Sequence, residues 1–152
     1  MDLGEKEMNN RIFAGTLIFS LAVLFLGTAL GQEENSSTDS QIAITSANFV
    51  APSPEKENLN EEWVEVSNNG SSEANLTGWT LEDAQNHTYT IPDFSLKAGA
   101  KAKIRTGIGN DTSADLFWNK KTPIWNNSGD MATLMDAAGN IVSRYPKESN
   151  SA

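Results

Sequence analysis

Beyond residue 40 the chain alternates apolar and polar positions in short runs, and each run stops at a cluster of Gly, Asn, Asp, Ser or Pro. That two-residue period is the signature of strands with one buried face. Gln41–Phe49 is the first strand, with Ile42 and Ile44 on one side and the alternation resumed at Ala47 and Phe49. Ala51–Asn60 (APSPEKENLN) is Pro-rich, polar and a loop. Glu62–Asn68 alternates again, which makes Val64 and Val66 a core pair and turns Trp63 to the opposite face. Asn69-Gly70-Ser71-Ser72 is a turn cluster. Ala74–Glu82 carries Leu76, a Thr-Gly corner, and then Trp79 and Leu81 on one face, which assigns both to the core. In His87–Ile91, Tyr89 and Ile91 share a side, and Pro92 limits this segment to a strand end or an edge. Leu96 closes a short piece at Lys97-Ala98-Gly99. Ala100–Thr106 alternates strictly, with Ala102 and Ile104 facing one way and Lys101, Lys103 and Arg105 the other. Gly107–Ala114 and Lys120–Asn127 read as loops around the short apolar piece Leu116–Trp118.

Trp125–Tyr145 is a hairpin with its entry corner written out. An aromatic and an Asn-Asn-Ser-Gly-Asp turn lead into a strand with Ala132 and Leu134 on the core face. Asp136–Asn140 then makes a short loop with Gly139 at positive φ, and Ile141–Tyr145 is the last strand. Turn signals recur roughly every ten residues and no helical period appears after residue 31, so the fold class is an all-β sandwich.

The first thirty residues follow another pattern. Ile12–Leu30 carries no charge, and a run of about 18 or more such residues can span a bilayer. Arg11 precedes it and Glu33-Glu34 follow, which predicts an N-in, C-out orientation. Ala29-Leu30-Gly31 supplies the small residues of a cleavage site before Gln32. A cleaved signal peptide and an uncleaved anchor both fit, and both place residues 32–152 outside the cytoplasm. The organisation is therefore 1–31 signal or anchor, 32–40 polar linker (QEENSSTDS), 41–147 sandwich and 148–152 tail.

Composition narrows the chemistry. The chain has 152 residues, a formal net charge of -9, no cysteine and one histidine. Without cysteine there is no disulfide framework, thiolate chemistry or lipid-modified cysteine anchor. One histidine leaves almost no room for a His-based metal site. The acidic balance argues against wholesale neutralisation of nucleic-acid phosphates. Six sequons, at Asn35, Asn69, Asn75, Asn86, Asn110 and Asn126, are candidate N-glycosylation sites, as expected of an exported chain, although an Asn- and Ser-rich sequence produces several by chance.

The ordered pieces carry a resemblance. They are Glu62-Trp63-Val64-Glu65-Val66 with Asn68-Asn69-Gly70, Asn75-Leu76-Thr77-Gly78-Trp79-Thr80-Leu81, His87-Thr88-Tyr89-Thr90-Ile91-Pro92, Leu96-Lys97-Ala98-Gly99-Ala100, Thr106-Gly107, Leu116-Phe117-Trp118 and Trp125-Asn126-Asn127-Ser128-Gly129-Asp130 through Gly139-Asn140. In this order and spacing, over about residues 41–146, the chain resembles the lamin tail domain, an immunoglobulin-like β-sandwich. In animal lamins this is a tail module that contacts proteins and chromatin. Here a coiled-coil rod and a C-terminal prenylation box are missing and a membrane-targeting segment is present. The resemblance is therefore to prokaryotic members that are exported or membrane-attached. Some of those are fused to hydrolases, and no such partner domain is recognisable in this sequence. The family has no shared catalytic residues to carry over.

Candidate ligand residues have structural alternatives. Trp63, Trp79, Trp118 and Trp125 could make a sugar-stacking platform or pack in the core and rim; Trp118 and Trp125, in loops, are the better ligand candidates. Lys101, Lys103 and Arg105, with Lys97 near and Lys120-Lys121 close, could bind an anionic polymer or form a solvated outer face. Asp111, Asp115, Asp130 and Asp136 could hold calcium between loops, but no EF-hand or repeat spacing exists and turn chemistry explains them. His87 has no Ser or Cys elbow beside it and reads as a half-exposed strand residue. The expectation is a non-enzymatic, cell-surface or secreted binding or structural module, without cofactor or metal, for a protein or glycan of the envelope. The alternative is a carbohydrate-binding module that uses the loop tryptophans.

Overall fold

The computed structural model describes residues 41–147. The apolar segment 12–30, the linker, the sequon at Asn35 and the tail 148–152 lie outside the described residues. Among the described residues ten strands are present: β1 (Ile42–Asn48), β2 (Trp63–Asn68), β3 (Ala74–Asn75), β4 (Thr80–Glu82), β5 (Thr88–Thr90), β6 (Ser95–Leu96), β7 (Lys101–Arg105), β8 (Asp115–Phe117), β9 (Ala132–Met135) and β10 (Ile141–Tyr145). One four-stranded sheet runs β1-β2-β7-β8, a second runs β10-β9-β4-β5, and β3 pairs β6 in a small ribbon. Between the sheets lie the alternating apolar residues: Ile42, Ile44, Val64, Val66, Ala102, Ile104 and Leu116 from the first, and Leu81, Tyr89, Ala132 and Leu134 from the second. This is the two-layer solution for strands with one apolar face.

The break in the β1 pattern has a cause. The register with β2 shifts between Ile44 and Ser46, a bulge whose extra residue re-phases the strand. Ile42 and Ile44 are buried, and Ala47 and Phe49 pack against the core from its edge. The loop 51–60 is more ordered than its composition predicts. It holds two 3-10 turns, Glu55–Glu57 and Leu59–Glu61, and buries Ala51 and Leu59.

One expectation needs correction. Trp79 is half-buried, not fully internal. It stands just before β4, at a corner where its N–H donates to the Leu76 carbonyl and its own carbonyl accepts from Ile91, so its indole packs against the rim of the core. The piece Leu116–Trp118 begins with a strand, β8, that pairs β7 in parallel, with Ile104 opposite Leu116. Phe117 N–H donates to Asp111 Oδ1 at 2.8 Å, and Thr112 N–H donates to the Asp115 carbonyl at 2.8 Å. The outer edge of β8 is thereby covered by its own preceding loop, which blocks further strand pairing there.

On the other side of the sandwich β10 lies beside β1. There the Ile44 N–H donates to Ser143 Oγ at 3.0 Å. A hydroxyl thus replaces a ladder carbonyl and links the two sheets. At Asp136–Asn140 the hairpin turns as its sequence predicts, with Gly139 at φ +84° and Asp136 Oδ1 accepting from Ala138 and Asn140 N–H.

Candidate functional site

Glu62 begins the argument because burial makes its carboxylate expensive to place. It follows the second 3-10 turn, directly before β2, and is 0% exposed. Trp125 N–H donates to its Oε1 at 3.0 Å and Ile124 N–H to its Oε2 at 3.3 Å. Burial raises its pKa above the ordinary value of 4.5, and the Thr106 hydroxyl and the two N–H groups pull the other way. Glu62 therefore clamps the Trp125 corner to the start of β2.

That clamp decides where the loop tryptophans go. Trp125 is 3% exposed and Trp118 8%. The Trp125 ring stacks on Phe49 at 4.9 Å and meets Trp118 edge-on at 6.0 Å, and Trp118 lies 5.7 Å from Tyr89. The reading of Trp118 and Trp125 as a stacking platform is corrected accordingly: both indoles fill the interior between the sheets and the loops that cap them, and neither presents an open ring face.

The basic face of β7 is also engaged within the fold. Lys101 Nζ pairs with Glu65 Oε1 at 2.9 Å, and Arg105 Nε pairs with Asp115 Oδ1 at 2.6 Å while its Nη1 donates to the Asn60 carbonyl. Lys103 Nζ stands 3.7 Å from the centre of the Trp63 ring, a cation–π contact. Cross-strand register produces this mixing, since Glu65 and Asp115 flank Lys103 from β2 and β8. The face expected to gather Lys97, Lys101, Lys103, Arg105, Lys120 and Lys121 is divided instead. The three cations on β7 are taken by neighbouring strands, and Lys120-Lys121 belong to a different surface.

The acidic candidates serve loops. Asp130 accepts from Ala84, Asn126 and Met131 N–H, Asp136 holds the hairpin turn, and Asp111 and Asp115 act as described for β8 and Arg105. Among the described residues no three His, Cys, Asp or Glu side chains are grouped to hold a metal ion. His87 is exposed, and its Nδ1 lies 2.7 Å from Asp83 Oδ2, whose carboxylate is buried and also accepts from Gln85 and His87 N–H. The sequon asparagines Asn69, Asn75, Asn86, Asn110 and Asn126 are all exposed. Asn75 and Asn126 close Asx turns on Thr77 and Ser128 N–H.

A concave site remains that no single segment of sequence announces. At one end of the sandwich a groove of about 390 Å³ lies between the 3-10 turns, the loop after β7 and the segment after β8. Lys56, Lys120, Lys121 and Ile108 line it over a floor from Leu59 and Asn60. Asn60 Nδ2 donates to the Ile108 carbonyl at 3.1 Å. A Cβ on Gly107 would fall 2.3 Å from Asn60 Oδ1, so the close approach of these loops depends on glycine there. Sequence reading missed the groove because its walls are some 50 residues apart and meet only through β2 and β7. It also passed over Glu62 and Asn68, polar residues in alternating strands. Asn68 is fully buried, with Nδ2 donating to the Ser72 and Leu96 carbonyls and Oδ1 accepting from Gly70 N–H.

Two packed sheets whose polar side chains chiefly shape loops, with an open groove at the loop end, define a β-sandwich. The chain belongs to the lamin tail domain family, whose model, Lamin Tail Domain, matches residues 35–148. No curated protein matches it.

Proposed function

We propose that this chain is a non-enzymatic, extracytoplasmic binding module of the prokaryotic, exported or membrane-attached type, and that it meets its envelope partner with the grooved end of the sandwich. The observation that carries this reading is polarity along the fold. Gln41, where the linker enters, is at the Asn68–Asn69 end of the first sheet, while the groove is at the Trp63–Arg105 end. β1 runs from one to the other over seven residues, or about 23 Å. The groove therefore lies at the end of the sandwich opposite Gln41.

The absence of enzymatic activity is supported by how the titratable groups are used. The buried Glu62 carboxylate is occupied by backbone N–H groups, and His87 is an exposed loop residue paired with Asp83. The carbohydrate-binding alternative built on Trp118 and Trp125 loses its support, because sugar stacking needs exposed ring faces.

The chain has no cysteine, so an introduced one is unique. In Ala98→Cys, at an exposed turn outside the groove, a membrane-impermeant maleimide is expected to label intact cells. Labelling only after lysis would refute the extracytoplasmic placement.

A further inference from the structure

We infer that the groove takes an acidic, aliphatic-containing peptide segment of a partner protein, an inference that rests on the grooved end being the binding surface. The first argument is where uncommitted positive charge lies. Lys101 and Arg105 are ion-paired, and Lys103 is held over Trp63. Lys56 and Lys121 make no side-chain hydrogen bond or ion pair, and the Lys120 ammonium has only a distant contact, 5.9 Å, with the Trp118 ring. All three line the same groove. In a chain of net charge -9, this local excess of donors is the concave surface complementary to carboxylates.

The second argument selects a peptide over a uniform polyanion. Glu57 and Glu61 also line the groove, unpaired with its lysines. A polymer with an identical charge on every unit must set some of that charge against these carboxylates. A peptide can place its acidic side chains on the lysines and offer backbone N–H groups to Glu57 and Glu61. Ile108, 58% exposed at the groove, supplies an apolar contact for an aliphatic side chain. The lining contains no aromatic ring, which removes the platform that saccharides and nucleobases use. The groove is also pre-formed: buried Leu59, the Asn60–Ile108 hydrogen bond and the Gly107 approach fix its floor before any ligand arrives, which lowers the entropy lost on binding.

The test uses the full chain in detergent micelles, titrated with a short synthetic peptide of alternating glutamate and leucine. Binding is expected to weaken about tenfold in Lys120→Gln/Lys121→Gln, further when Lys56→Gln is added, and severalfold in Ile108→Asn. The Lys97→Gln/Lys147→Gln variant carries the same change in net charge and is expected to bind as the parent does. Raising the salt to about 0.5 M should weaken the parent's binding. No binding of the peptide, equal weakening by the two double variants, or equally tight, lysine-dependent binding of polygalacturonate or polyglutamate would overturn the assignment. The two readings fail separately: peptide binding without surface labelling refutes the location alone, and labelling without peptide binding refutes the groove's ligand alone.

Discussion

Replacing Glu62 is expected to loosen the Trp125 corner more than any other single polar change. In Glu62→Ala the N–H groups of Trp125 and Ile124 lose their acceptors, and the Trp125 residue is 3% exposed. A hydrogen bond to a charged group contributes about 1.5–3 kcal/mol. The 3.3 Å bond from Ile124 is long and deserves the low end. Relief of the carboxylate's unfavourable burial offsets part of these losses and of the void left by the side chain, so the expected loss is about 2–4 kcal/mol, or very roughly 10 °C in Tm. Glu62→Gln keeps one carbonyl oxygen but turns an amide N–H toward one of the two donors, for a loss of about 1–2 kcal/mol at neutral pH. The two variants also differ from wild type in pH dependence. Because burial raises the Glu62 pKa above 4.5, the folded chain binds more protons than the unfolded chain between 4.5 and that raised value. Stability from this group therefore falls as pH rises through the window and grows on acidification. Glu62→Gln lacks this term, so its deficit relative to wild type should widen as pH falls from neutral toward 4.5. Urea unfolding followed by tryptophan fluorescence, together with amide exchange at Trp125, measures both effects. Glu62→Ala within about 0.5 kcal/mol of wild type, with Trp125 N–H protection unchanged, would refute the reasoning.

Asn68→Ala removes three side-chain hydrogen bonds at a fully buried site and should cost about 2–4 kcal/mol in chemical denaturation, whereas Asn110→Ala, at an exposed loop position, should stay within about 0.5 kcal/mol. Ser143→Ala leaves the Ile44 N–H without its acceptor at the seam between β1 and β10; a loss of about 1–2 kcal/mol and faster exchange of that amide are expected. Lys101 and the Thr45 and Ser46 hydroxyls hold the Glu65 pKa below 4.5, so its stabilising contribution is present above that value and is lost as pH falls through the lowered one. Acid titration of Glu65→Gln should accordingly show a shallower low-pH loss of stability than wild type. Gly107→Val should destabilise the fold by about 1–3 kcal/mol through contact with Asn60, and cavity-relieving Asn60→Ala in the same chain should recover part of it.

Local pattern carried much of this fold. Alternation at Val64/Val66, Ala102/Ile104 and Ala132/Leu134 identified core faces because a strand's side chains must alternate and only one face of each sheet is dry. The Asp136–Asn140 turn was legible because its Gly and Asp chemistry is set within five residues. The bulge after Ile44 left a trace in the spacing to Ala47 and Phe49. Where tertiary neighbours decide, the same rules misled: Trp118 and Trp125 lie in loops by local composition, yet the Glu62 clamp and Phe49 stacking draw both inside. Lys101, Lys103 and Arg105 form a basic row on one strand, yet Glu65, Trp63 and Asp115 arrive from the strands on either side and engage it.

The sequence by itself determined an all-β sandwich, because alternation and turn chemistry are near-neighbour properties, and its ordered motifs carried the resemblance to the lamin tail domain family. Only the tertiary structure decided which polar groups are buried and which cations are left free, because those depend on charges and carbonyls supplied from distant segments. That is why the row on β7 receded as a site, and why a groove assembled from three separate loops took its place.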